Sequence, residues 1–148
     1  MRKLLLLAAL CIPAALSAVT QNSADRIIGI YLAEYEGEKS KVSIFKEDDG
    51  TYTARVIWVQ DKYDKNGKLK TDEKNPDKSK RNTPCDQIVL IEKMSYDSKK
   101  NSWTNAKIYD PVRGIRANAD CSFTPEGRLK VRGSLMGFGM SVYWDKLE

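Results

Sequence analysis

Apolar and polar side chains alternate with a period of two along most of the chain beyond residue 26, in short blocks. Ile27-Ile28-Gly29-Ile30-Tyr31-Leu32-Ala33 is too rich in β-branched residues for a helix and has the length of a strand. Glu36-Gly37-Glu38 marks a turn and Lys41-Val42-Ser43-Ile44-Phe45 a second strand. Asp49-Gly50 is hairpin-turn chemistry, because both residues tolerate the backbone angles that such turns require. A third strand follows over Thr51 to Val59, with Tyr52, Ala54, Val56 and Trp58 on one face and Thr53, Arg55, Ile57 and Val59 on the other. Three strands joined by short polar turns predict an antiparallel meander.

After a long polar interruption the pattern resumes. Ile88-Val89-Leu90-Ile91 reads as a buried strand, with its turn over Tyr96 to Asn101. An apolar strand ending Ile108-Tyr109 then enters Asp110-Pro111-Val112-Arg113-Gly114. Asp caps its own backbone there, Pro presets φ, and Gly114 supplies a left-handed residue that lets the next strand re-pair. That strand sets Ile115, Ala117, Ala119, Cys121 and Phe123 against Arg116, Asn118, Asp120 and Ser122. Pro125-Glu126-Gly127 turns the chain again, and Leu129, Val131, Gly133 and Leu135, then Met140, Val142 and Trp144, supply two closing strands. Gly133, Gly137 and Gly139 suit the bent strands of a barrel corner. An open sheet with such nearest-neighbour turns would leave two bare edges, so the pattern predicts an all-β fold, a single antiparallel β-barrel of about eight strands.

Composition changes the picture at the N-terminus. Arg2 and Lys3 precede an apolar run from Leu4 to Leu16 and small residues near Ala18, the layout of a signal peptide over residues 1–18, with the barrel domain over 19–148. Export to the periplasm of a Gram-negative bacterium, or secretion, is the expectation, with no transmembrane segment in the mature chain. The full chain carries a formal net charge of +5, and loss of Arg2 and Lys3 leaves +3. So weak a positive excess gives no footprint for nucleic acid. In an oxidising compartment Cys85 and Cys121 suggest one disulfide, worth about 3–4 kcal/mol by loop closure; two buried free thiols are the alternative.

Residues 60–84 have no apolar period. They read either as a solvated excursion or as a flap over one end of the barrel. Asn75-Pro76-Asp77 suggests an ordered turn within it. Asp61, Asp64, Asn66 and Asp72 resemble calcium ligands only superficially, since the spacing does not continue and lysines intervene, so no metal or other cofactor is expected.

Taken in order, Gly29-Ile30-Tyr31, Val42-Ser43-Ile44-Phe45, Arg55-Val56-Ile57-Trp58-Val59, Asn75-Pro76-Asp77, Arg81, Pro84-Cys85, Lys107-Ile108-Tyr109-Asp110-Pro111 with Gly114, Leu129-Lys130-Val131-Arg132-Gly133 and Tyr143-Trp144 form an ordered set. The chain resembles the bacterial exported domain of unknown function 2147 (DUF2147) family over nearly its whole mature length. The Ile-Tyr-Asp-Pro segment with its downstream Gly is the most specific piece. The resemblance implies a small lipocalin-like (calycin-like) barrel and no established activity. Lipocalin-type barrels tend to open with Gly-x-Trp and to lay a basic side chain of the last strand across that ring; here the ring is Tyr31 and the cation Lys146.

The mature chain has no histidine, which removes the usual triad base and proton shuttle. Asp110 and Asp120 are accounted for by turn capping and by a polar strand face, so catalysis is not expected. The favoured expectation is a non-catalytic barrel that binds a lipid or other small apolar or amphipathic ligand. Its candidate lining residues are Tyr52, Val56, Trp58 and Tyr109, with Ala117 and Ala119 leaving room and Arg132 facing either inward toward an anion or outward to solvent. The alternative is an envelope protein with a filled barrel that binds a protein or polysaccharide through exposed aromatics such as Tyr63, Tyr96 or Trp103.

Overall fold

The computed structural model describes residues 23–148; the signal-peptide expectation for residues 1–18 lies outside them. Eight antiparallel strands close in sequence order into a barrel: β1 Gly29–Tyr35, β2 Glu38–Lys46, β3 Tyr52–Val59, β4 Val89–Asp97, β5 Ser102–Asp110, β6 Ile115–Phe123, β7 Leu129–Leu135 and β8 Phe138–Lys146. β1 closes onto β8 through Tyr31 opposite Lys146 and Leu32 opposite Asp145. Closure leaves no bare edge, the physical reason for expecting it. Among the described residues no helix is long and apolar enough to cross a membrane.

Three strands depart from simple alternation, each at a bulge. In β3, Val56 faces Val42 and Trp58 faces Lys41, so Ile57 is an extra residue. The side chains beyond it change faces, as one inserted residue requires. Val59 therefore turns inward, whereas Trp58 is 42% exposed with Lys41 Nζ 5.7 Å from its ring centre. In β4 and β5, Lys93 (φ 61°) and Asn105 (φ 56°) adopt left-handed backbone. Ile91 and Met94 are consequently both inside, three apart, as are Trp103 and Ala106. This broken period hides the second half of β4, which runs on to Asp97 rather than ending at Ile91.

The core fills one end of the barrel. Tyr31, Ile44, Tyr52, Met94, Trp103, Cys121 and Leu129 are all under 2% exposed. A short 3-10 turn, Asp25–Ile27, plugs that end from below. The Trp103 indole N–H donates to the Ala24 carbonyl (3.1 Å) and the Tyr31 hydroxyl to the Ile27 carbonyl (2.8 Å). The Arg26 guanidinium lies between the rings of Trp103 and Phe123, 5.4 and 5.1 Å from their centres. The expected ring–cation contact is present too: Lys146 Nζ stands 5.9 Å from the Tyr31 ring centre and donates to the Arg26 carbonyl at 2.9 Å.

Candidate ligand-binding cavity

The opposite end is hollow. A cavity of about 800 Å³ opens between the tips of β1–β2, β5–β6 and β7–β8 and the segment that joins β3 to β4. Its wall is mainly apolar, with Val56, Val59, Ile88 and Leu90 on one side and Ile108, Ala117, Val131 and Val142 on the other. Trp144 forms part of the floor, 4% exposed, its ring 6.4 Å from that of Tyr31 in the filled end. Small residues make the space: Ala117 and Gly133 lie on paired strands, and a β-carbon at Gly133 would stand 3.4 Å from Ile108 Cγ2. A second depression, outside the wall of β3 beside Arg55, Ile57 and Gln87, does not share this lining apart from Val56.

The candidate residues divide between the two ends. Val56, Tyr109 and Ala117 line the cavity. Tyr52 does not, being a core residue whose hydroxyl donates to Asp25 Oδ1 at 2.6 Å. Ala119, 2% exposed, belongs to the packed end as well. Trp58 is turned out of the barrel by the β3 bulge. Arg132 also points outward and is exposed, its guanidinium lying against Gly139.

The Cys85–Cys121 disulfide is not formed; both are free thiols. Cys121 is buried in the packed end, its Sγ 3.8 Å from Met94 Sδ, whereas Cys85 lines the cavity near the mouth, 3.8 Å from the Lys62 carbonyl. Spacing along the chain does not reveal that the two face different ends of the barrel. Burial pushes the Cys121 thiol up to about 12, and burial with the neighbouring Asp86 raises that of Cys85. Neither is poised as a thiolate nucleophile at neutral pH.

The 60–84 segment is a structured cover. Tyr63 bridges to Leu69, Thr71 to Pro84, and a 3-10 turn spans Lys78–Lys80. Its anchor is Asp72, 3% exposed, which accepts hydrogen bonds from Tyr109 Oη (2.6 Å) and Asn75 Nδ2 (2.6 Å). Burial, and then the hydrogen bond to Asp72, raise the Tyr109 pKa above its ordinary value. Gly114 completes the seam. Its φ is +69°, and a β-carbon there would lie 2.3 Å from the Lys74 carbonyl oxygen. Part of the resemblance motif gathers here: Asn75, Pro76, Tyr109, Asp110, Pro111 and Gly114 belong to this seam and its turns, Ile108 and Gly133 to the wall, and Trp144 to the floor, whereas Arg132 lies outside the barrel and Tyr31, Val42 and Ile44 in the packed end. The sequence presents Asp72 only as a superficial calcium ligand and as an acid three residues before Asn75-Pro76, and neither marks it as an anchor.

A polar strap crosses the mouth. Arg113, on the β5–β6 turn, pairs with Asp110 (2.9 Å), with Glu36 on the β1–β2 turn (2.7 Å), and with the Tyr35 hydroxyl. Tyr35 Oη also lies 3.3 Å from Asp110 Oδ2. β1 and β5 stand on opposite sides of the eight-stranded ring, so the strap divides the opening. The 60–84 segment lies on one side of it and the β7–β8 hairpin on the other.

A family profile described as "Uncharacterized protein conserved in bacteria (DUF2147)" matches residues 29–146, the whole barrel. The chain belongs to the DUF2147 family. Among solved structures, the DUF2147 barrel is similar to protein HP1028 from the human pathogen Helicobacter pylori, which belongs to the lipocalin family, with a TM-score of 0.64 and 24% sequence identity over 82% of each chain. At that identity the likeness is one of fold. Among curated proteins none matches.

Proposed function

We propose that this DUF2147 protein is an exported, non-catalytic carrier that holds a small apolar or amphipathic molecule in the cell envelope. The observation that carries the reading is the cavity: about 800 Å³, walled by aliphatic side chains and open at one end. Water gains little from wetting such a wall, and a hydrocarbon chain buried there gains about 25 cal/mol per Å² of apolar surface removed from water. The volume falls within the range of known small-molecule sites. Polar groups gather at the rim, where Glu34, Glu38, Asp61 and Lys70 would meet the polar end of an amphipath. A role outside the cytoplasm is supported by the basic-then-apolar N-terminal sequence. A binding rather than catalytic role is supported by the absence of histidine, by the two thiols held protonated, and by the structural use of Asp72. An interaction protein with a filled barrel has no use for so large an internal space.

Native mass spectrometry of protein recovered gently from the periplasm, followed by solvent extraction, is expected to find a co-purifying lipid or organic acid. In parallel, a fluorescent fatty-acid probe should bind the emptied protein and protect Cys85 from maleimide alkylation. Ala117→Phe should abolish both effects with the far-UV circular dichroism retained. Probe binding unaffected by Ala117→Phe would remove the cavity from the account.

A further inference from the structure

The cavity mouth has an apolar lip on one side. The β7–β8 hairpin ends in a two-residue turn, Met136-Gly137, and carries Leu135, Met136, Phe138 and Met140 at 46, 89, 84 and 59% exposure. Met136 has φ +50°, a position where turns ordinarily use Asn or Gly. Nothing in turn geometry calls for a methionine there. The neighbouring β5–β6 turn and the start of β6 add Val112 and Ile115, each 43% exposed, and all six residues line the same mouth. A soluble domain rarely leaves such a patch uncovered.

Behind each half of the lip stands a cation with no carboxylate partner among the described residues. Lys74 Nζ donates to the Val112 carbonyl at 2.7 Å. The Arg132 guanidinium lies beside Gly139, where a β-carbon would stand 3.1 Å from Nη2. Of the acids at the rim, Glu34, Glu38 and Asp61 belong to the β1–β2 tip and the start of the 60–84 segment, and Asp110 at the end of β5 is neutralised by Arg113 at 2.9 Å.

From this juxtaposition we infer that the β5–β6 and β7–β8 tips dock the barrel, mouth down, on an anionic lipid bilayer. Met136 and Phe138 enter the headgroup–acyl boundary, and Lys74 and Arg132 reach the phosphate plane. Apolar groups inserted ahead of basic ones are what an anionic interface binds. The same geometry disfavours a second copy as the occupant, since a two-fold contact through this lip brings like charges together. Met136 and Phe138 also line the cavity mouth, whereas Arg132 does not, so the Arg132 contribution separates docking from what the cavity holds. If the carrier reading is also correct, docking sets the mouth against the source of an amphipathic cargo.

The test is vesicle sedimentation with the chain lacking its first eighteen residues, so that the leader's apolar run cannot carry the binding; the whole barrel lies within 23–148. Vesicles of phosphatidylcholine alone are compared with vesicles of equal parts phosphatidylcholine and phosphatidylglycerol. The protein is expected to pellet with the anionic vesicles, and less so as salt is raised. Met136→Ser with Phe138→Ser should weaken binding about tenfold or more, and Arg132→Ala about fivefold on anionic vesicles only. Arg132→Ala, outside the cavity lining, should still take up the fluorescent fatty-acid probe, whereas Ala117→Phe should lose the probe and keep the vesicles. Failure of the unaltered protein to pellet with anionic vesicles overturns the proposal. So does full binding by the double variant, or a concentration-dependent dimer abolished by the double variant in place of vesicle binding.

Discussion

The two ends of this barrel are made from the same eight strands and do opposite things. At the closed end, strands converge on Trp103, Tyr31, Tyr52 and Met94, and the Asp25–Ile27 turn seals the space with hydrogen bonds to the Trp103 and Tyr31 side chains. At the open end the facing positions shrink to Ala117 and Gly133, and the cover is held from outside by one buried carboxylate, Asp72. Residue size along each strand therefore decides where stability resides and where space is left. The closed end can hold the fold while the open end remains free to admit a guest.

That division predicts an order of mutational effects. Trp103→Ala should be the most severe, costing about 3–5 kcal/mol in urea unfolding, because it opens a void in the packed end and removes the ring under Arg26. Equal tolerance of Trp103→Ala and Ala117→Leu would erase the distinction between the ends.

Tyr109→Phe should cost less, about 1–3 kcal/mol, because Asp72 stays buried with one donor gone. Its signature should be local: faster proteolytic cleavage within residues 60–84 with the barrel's near-ultraviolet circular dichroism retained. A loop no more sensitive in the variant would show that Asp72 is not its anchor.

The pH dependence follows from the same groups. Tyr52 and Tyr109 have folded-state pKa values raised, first by burial and then by Asp25 and Asp72 respectively. Their contribution is complete below the unfolded tyrosine value of about 10 and falls away as pH rises through the folded values. Asp25 runs the other way: hydrogen bonds from Tyr52 and then Lys46 hold its pKa below the ordinary 3.8. Its contribution is present above the unfolded value and is lost as pH falls through the folded one. Melting temperatures measured from acid to alkali should decline at both extremes, and Tyr52→Phe should flatten both limbs. Tyr109→Phe should flatten the alkaline one.

The smallest effect on stability is expected at the strap. Arg113→Ala breaks exposed pairs to Glu36 and Asp110, worth under about 1 kcal/mol together. Release of a fluorescent probe from the cavity should nonetheless quicken in stopped flow, since the strap crosses the way out. Unchanged release would mean that exchange takes place beside it.

Much of the fold was legible because a half-buried strand shows its alternation directly: β6 and β7 run over the residues the pattern marks, and Asp110 to Gly114 turns as its chemistry requires, with Asp110 Oδ1 accepting from the Val112 and Arg113 amides. Bulges were not legible. Ile57, Lys93 and Asn105 are ordinary residues, so nothing in their identity announces that Trp58 leaves the barrel or that Met94 joins Ile91 inside. The site was half legible for a related reason. Alternation says which side of a strand is inward, but not how far along the barrel axis a residue lies, and height separates the wall residue Ala117 from the packed Ala119 one step below it. The cysteines failed on the same coordinate. Asp72 lies in a stretch without period, where only three-dimensional contact distinguishes an anchor from the charges around it.

The position of Trp144 makes the protein its own instrument. Its three indoles occupy three solvents: Trp58 faces water, Trp103 is sealed among side chains, and Trp144 looks into the chamber. A variant that keeps Trp144 as its sole indole would change emission colour when a guest displaces the contents of the chamber, and a soluble quencher would read the outer one alone. Occupancy can thus be followed without a label, even before the guest is known.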